Sequence, residues 1–129
     1  MNERIVRELL DALNRHDIDA YLKYYADDAT LIEYSGRRLD KEDIRRTMSN
    51  SFLAFPDLEY IFERMLSQGN VVVVESTGRG THKGEYHGLS ATNNKFELPR
   101  VTIYDFEEGK IKQVKTYANI QRLIQQLSE

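Results

Sequence analysis

Residues 97–121, ELPRVTIYDFEEGKIKQVKTYANIQ, decide the fold of this chain. Leu98 to Phe106 is rich in β-branched and aromatic residues, and Glu107-Glu108-Gly109 forms a short turn with a glycine available for positive φ. Lys110 to Asn119 then alternates polar and apolar again. The stretch reads as a long two-stranded hairpin. The other strand-like segments are too short to form a sheet alone, so they are expected to assemble against this ribbon. It also carries polar side chains placed to face a pocket: Arg100, Thr102, Tyr117 and Asn119.

Working back from the hairpin, the period of the sequence is 2 from Leu58 onward. Leu58 to Leu66 and Val71 to Gly80 read as strands joined by Gln68-Gly69-Asn70, and the VVVV run at 71–74 suggests burial on both faces. Residues 82 to 95 are polar and turn-like. Before Leu58 the period is 3.6. Ile5, Leu9 and Leu13 mark one amphipathic helix over residues 2–15, widened by Val6 and Leu10. Asp17 caps a second, short helix with Ile18, Tyr21, Leu22 and Tyr25 on its apolar face, ended by Ala26-Asp27-Asp28. Thr30 to Tyr34 is a short strand. Asp40 with Asp43 resembles a capping box opening a third helix that carries Ile44, Met48 and Phe52 and closes at Pro56. Leu123 to Leu127 is a final helical turn or two. The pattern predicts a single α+β domain over residues 1–129, with three N-terminal helices packed on a strongly bent antiparallel sheet.

Bulk properties narrow the function. The chain has 129 residues, 40% hydrophobic and 30% charged, as expected of a globular domain with a genuine core. No apolar run reaches the roughly 18 residues of a membrane span, and the charged start MNERIVRELL is unlike a signal peptide. With no cysteine there is no disulfide framework and no thiol chemistry, and a cytoplasmic location is expected. The net charge is −3 and Arg37-Arg38 and Arg45-Arg46 lie among acids, so no nucleic-acid stripe is expected.

Two stretches, DIDAYLKYYADDATLIE at 17–33 and GRGTHKGEYHGLSATNN at 78–94, resemble the nuclear transport factor 2-like superfamily. The second, followed by VTIYDFEEGKIKQV and by LIQQL at 123–127, is similar to its SnoaL-like polyketide cyclase group. The resemblance spans nearly the whole chain and implies a cone with a pocket at its open end. The superfamily hosts isomerases, cyclases and non-catalytic binders, so the fold does not choose among them.

The resemblance places Glu33 where ketosteroid isomerases hold their general base, and a carboxylate at an apolar cone mouth can move a proton α to a carbonyl. Leu9 and Thr102 stand where those isomerases have their two oxyanion donors, so steroid isomerisation is not expected. Asn119 occupies the place of the acid/base aspartate of SnoaL-like cyclases. An amide cannot carry that proton, but it can orient a substrate or cap the strand-to-helix junction. His87 is the other candidate acid/base. His82 and His87 flank Glu85 in a non-helical loop with no third ligand, so no metal or other cofactor is expected. Arg100 and Thr102 share a strand face by parity; if that face looks inward, Arg100 is expected to be an anion or carbonyl clamp with Glu33 as a candidate partner. Pro99 beside them suggests an edge or bulge. Tyr34 and Tyr117 complete the substrate-contact set, while the eight tyrosines in general are assigned to packing.

Two function classes follow. One is an isomerase- or cyclase-type enzyme moving a proton on a hydrophobic carbonyl compound through Glu33 or His87. The other is a non-catalytic small-ligand binder or accessory protein of the same fold. A homodimer through the bare sheet face is expected with either.

Overall fold

The computed structural model describes residues 1–129 as one α+β unit. In chain order the elements are α1 (Asn2–Asn14), α2 (Ile18–Leu22), β1 (Tyr25–Ile32), β2 (Arg38–Leu39), α3 (Lys41–Ala54), β3 (Glu59–Gln68), β4 (Val71–Thr81), β5 (Lys95–Glu107), β6 (Lys110–Ala118) and α4 (Ile120–Ser128). The six strands form one sheet in the order β2-β1-β6-β5-β4-β3.

The hairpin at 97–121 is the centre of this sheet. Strands β5 and β6 pair from Glu107↔Lys110 to Arg100↔Ala118, and Glu108 and Gly109 both have positive φ, 52° and 79°, which suits the twist of a two-residue hairpin turn. The β4–β5 ladder is longer, running without interruption from Val71↔Asp105 to Thr81↔Lys95. Pro99 therefore stands in a regular central strand, contrary to the expected edge or bulge. It is accommodated because β6 pairing ends one residue away, at Arg100↔Ala118, so no β6 ladder bond is lost to its missing N–H.

The sheet is mixed rather than wholly antiparallel. β1 lies parallel to β6, with Leu31 opposite Val114 and Ile32 opposite Lys115. No tight turn links these strands, so nothing local dictates antiparallel pairing; β1 arrives from α2 and is laid on the free edge of β6. It also starts earlier than its β-propensity suggests, taking in Ala26-Asp27-Asp28, which was expected to be a break. Register shifts interrupt β1–β6, β3–β4 and β5–β6, and such bulges curl the sheet into a cone.

Sequence rules account for the helices. Asp40 accepts from Asp43 N–H at 2.8 Å while the Asp43 carboxylate accepts from Asp40 N–H at 3.2 Å, a reciprocal capping box. Asp17 caps α2 through Ala20 N–H. The apolar faces of α1, α2 and α3 close on the inner sheet face around Leu9, Tyr25, Val72, Val74 and Ile111. The VVVV run is not buried on both faces: Val72 and Val74 are buried, whereas Val71 and Val73 are half-buried on the outer side.

A fourth helix completes the fold. α4 covers a second cluster of Phe55, Leu58, Phe96, Leu98, Leu123 and Leu127, with Gln126 bonded to both backbone groups of Glu97. Leu127 is fully buried although two residues from the end. Leu127→Ala is expected to cost about 2 to 3 kcal/mol in urea unfolding. The exposed neighbour Gln125→Ala should stay within about 0.5 kcal/mol.

Candidate functional site

Alternation along β4 and β5 puts even-numbered residues on the inner face. In the middle of β5 that face carries Arg100, Thr102 and Tyr104, between buried Leu98 on one side and Phe106 on the other. Here the sheet and the helices do not meet, and a cavity of ≈ 160 Å³ remains. That is close to an engineered cavity of about 150 Å³ that admits one benzene ring. Of its 25 lining residues, 18 are hydrophobic, Glu33 is the single acid and Arg100 the single base.

Arg100 stands near the middle of the sheet with its guanidinium 4.3 Å above the ring of Tyr60, a cation–π stack. Its Nη2 donates to Thr102 Oγ1 at 3.2 Å, and its enclosed Nε has no partner. The ring it stacks on fits because β4 has a glycine opposite. A Cβ on Gly78 would lie 3.1 Å from Tyr60 Cε1. Burial, the largest influence on Arg100, works against its charge; charges on Tyr60, Tyr104 and Tyr21 would favour it and hold its pKa above the usual value, but a phenol carries such a charge only in alkali. The guanidinium is charged at every physiological pH.

Three buried phenols close by, those of Tyr21, Tyr25 and Tyr104, are neutral. Burial, the largest influence on each, raises the pKa of Tyr21, Tyr25 and Tyr104. The hydroxyls of Tyr21 and Tyr25 bond each other at 2.5 Å. Tyr104 lines the cavity, and no side-chain hydrogen bond within the protein engages its hydroxyl.

Glu33 belongs to a different part of the wall. It follows the last residue of β1, where the backbone turns toward β2 through Gly36 at φ 87°. Its side chain is 18% exposed and pairs with Arg37 at 3.7 Å. The expected Glu33–Arg100 pair is therefore absent. Tyr34 and Tyr86 are its aromatic neighbours at the cavity wall, and burial, then the nearby charges, keep both protonated. Leu31 and Glu33 share the inner face as parity requires; Tyr34 also reaches the cavity because alternation ends with β1 at Ile32.

Four of the seven residues singled out from the sequence thus converge on one cavity: Glu33, Tyr34, Arg100 and Thr102. Three do not. His87 is exposed in a tight turn between Tyr86 and Leu89, where its φ of 47° and the 83° of Gly88 direct it outward; its ring rests edge-on against Tyr86, with centroids 4.3 Å apart. Tyr117 has odd parity on β6 and stands 54% exposed on the outer face. Asn119 caps α4, its Oδ1 accepting from Arg122 N–H at 3.2 Å, while its neighbours Ala118 and Ile120 face the cavity instead.

His82 is structural. It is fully buried, and Nδ1 accepts from Thr92 N–H at 3.3 Å, tying the two ends of the 82–94 connection together. That connection is pressed against the end of α3 at Gly84, where a Cβ would lie 2.7 Å from Leu53 O. No three His, Asp or Glu side chains converge as a metal site. Tyr21, Tyr60, Tyr86 and Tyr104 are cavity residues not singled out beforehand; for Tyr104 the signal was present, since it continues the parity of Arg100 and Thr102.

Comparison with known proteins agrees with this architecture. Residues 3–127 match the family model described as SnoaL-like polyketide cyclase. Among solved structures, a candidate hydroxylase, AclR of Streptomyces galilaeus, superposes with TM-score 0.90 at 23% identity, covering 98% of this chain and 94% of that one. A candidate SnoaL-like polyketide cyclase from Jannaschia sp. CCS1 gives TM-score 0.91 at 20% identity over 98% and 91% of the two chains. IdmH, a candidate polyketide cyclase from Streptomyces antibioticus, gives 0.86 at 21% over 98% of each. At these identities the likeness is one of fold. No curated protein matches the sequence.

The stack of Arg100 on Tyr60 depends on the missing side chain at residue 78. Gly78→Ala is expected to push the Tyr60 ring off the guanidinium and to cost about 1 kcal/mol in thermal unfolding. In NMR spectra the Arg100 side-chain protons should lose their upfield ring-current shift. An unmoved Arg100 spectrum would show that the stack does not depend on this glycine.

Proposed function

We propose that this chain, which belongs to the SnoaL-like polyketide cyclase family, moves a proton on a hydrophobic carbonyl compound with Glu33 as the base. The observation that carries this reading is the composition of the cavity wall: one carboxylate, Glu33, in an otherwise largely apolar and phenolic lining. In the proposed step the Glu33 carboxylate takes a proton from a carbon α to the carbonyl. The C–H electron pair moves through the new C=C bond to the carbonyl oxygen, giving an enolate. The protonated Glu33 returns the proton to the α-carbon or, where the enolate is conjugated with a further C=C bond, to the γ-carbon, so no other reactant is consumed. Tyr34 and Tyr86 are the nearby neutral donors suited to the developing oxyanion. His87, turned to solvent, takes no part in this scheme.

A non-catalytic binder of the same fold is the second reading, favoured by one observation. The family's acid/base position is Asn119 here, and that amide is committed to capping α4. In either case the ligand is a hydrophobic small molecule, and the protein is a homodimer through the outer sheet face. Ile61, Leu66 and Tyr117 are exposed there beside half-buried Val73 and Ile103. A second copy with the same face would cover them. No helix is long and apolar enough to cross a membrane.

Hydrogen exchange into 2-tetralone in D2O, followed by proton NMR, separates enzyme from binder. The parent protein is expected to accelerate exchange over buffer, and Glu33→Gln to reduce it by about 100-fold or more, the usual contribution of a positioned base. Exchange unchanged in Glu33→Gln would remove Glu33 as the base, and no acceleration by the parent would leave the binder reading. For assembly, Leu66→Glu is expected to convert a dimer into a folded monomer in gel filtration with light scattering; a monomeric parent at micromolar concentration would contradict the dimer.

A further inference from the structure

We propose that the ligands of this cavity are hydrophobic acids, whose ring fills the apolar space and whose carboxylate pairs with the Arg100 guanidinium. The inference rests on the reading of the cavity as a small-molecule site, and it is independent of whether Glu33 acts as a base.

Arg100 is a cation without an anion. All ten ion pairs of the chain lie elsewhere, and the one carboxylate on the cavity wall is engaged by Arg37. What compensates Arg100 within the protein is Tyr60, through its ring face and its nearby hydroxyl, and a hydrogen bond to Thr102. A guanidinium has five N–H donors, and Nε is enclosed with no acceptor at all. Enclosing an uncompensated charge is expensive, and side chains of similar size without charge would support Tyr60 equally well.

The geometry also states what kind of anion fits. Stacking on Tyr60 engages the face of the guanidinium, and Nη1, with the second N–H of Nη2 beyond its bond to Thr102, forms the end that can receive a planar carboxylate through two parallel bonds. Tyr104 adds a neutral hydroxyl that no protein side chain engages, on the same strand face. One cation with neutral donors matches a monoanion. The cavity, at ≈ 160 Å³, limits the enclosed apolar part to about one ring. Arg100, on β5, stacks on Tyr60, and Glu33, after β1, pairs with Arg37, so anchor and base enter the wall from different strands and are not paired with each other. A ligand held by its carboxylate at Arg100 would extend its remaining carbons along the lining toward Glu33.

Benzoate and benzamide, nearly identical in shape and different in charge, test this by calorimetric or NMR titration. The parent protein is expected to bind benzoate about tenfold or more tightly than benzamide, the ratio a charge-assisted hydrogen bond supplies. Arg100→Met should erase the preference and Arg100→Lys should keep only part of it. Equal binding of the two probes, a preference that survives Arg100→Met, or no binding of benzoate at millimolar concentration would overturn the proposal. The comparison in the parent protein stands even if Arg100→Met does not fold. The two readings also fail separately. Tetralone exchange abolished by Glu33→Gln, with no preference for benzoate, removes the anchor and keeps the base; the opposite pair of results removes the base and keeps the anchor.

Discussion

The unbroken β4–β5 ladder is the constraint on which the rest of the structure depends. Eleven consecutive pairs, from Val71↔Asp105 to Thr81↔Lys95, fix the parity of both strands at once. A slip of one residue would turn one strand over, either Val72 and Val74 or Tyr104 and Phe106 facing outward, and would place Val73 and Glu75, or Ile103 and Asp105, under the helices. The cost of burying Glu75 or Asp105 there makes the observed register the only tolerable one. With it fixed, Arg100 and Thr102 must face inward too, whatever their polarity.

The inner face therefore changes character along a single strand pair. At the hairpin end it supplies core; toward the start of β5, past Thr102, it supplies Arg100 opposite Ser76 and the glycines at residues 78 and 80. The glycines give up side-chain volume where Tyr60, Phe55 and Phe96 crowd in from neighbouring elements. A charged residue survives in this position because the aromatic rings supply electrostatic compensation while excluding most water. That compensation is partial, and the unpartnered Nε of Arg100 is its visible remainder. The cone thus has a resident positive centre before any ligand arrives.

Much of this was legible from local rules. The hairpin turn, the capping box of α3, the amphipathic stripe of α1 and the shared face of Arg100 and Thr102 each follow from residues close in sequence, and each is present. The parallel placement of β1 was not legible, because no turn connects it to β6 and its direction depends on how α1 and α2 pack. His87 and Tyr117 were misplaced for local reasons: a positive-φ turn reverses one, and strand parity turns the other outward. Asn119 was read with two options open, and the capping geometry selects the structural one. The tyrosines were the main omission. Eight in a small domain read as packing, and only the assembled sheet shows Tyr21, Tyr60 and Tyr104 gathered around one arginine.

A cavity whose one cation has no ion-pair partner, and whose one carboxylate is paired with Arg37, should orient an amphipathic acid in one direction only. The most direct measurement is a crystal structure with 4-bromobenzoate bound, in which the anomalous bromine signal fixes the orientation independently of the density for the ring. The account predicts the carboxylate within hydrogen-bonding distance of Arg100 and Tyr104, with bromine pointing toward Tyr34 and Tyr86. A carboxylate left in solvent at the mouth, with bromine buried against Tyr104 and Arg100 still paired only with Tyr60 and Thr102, would contradict it.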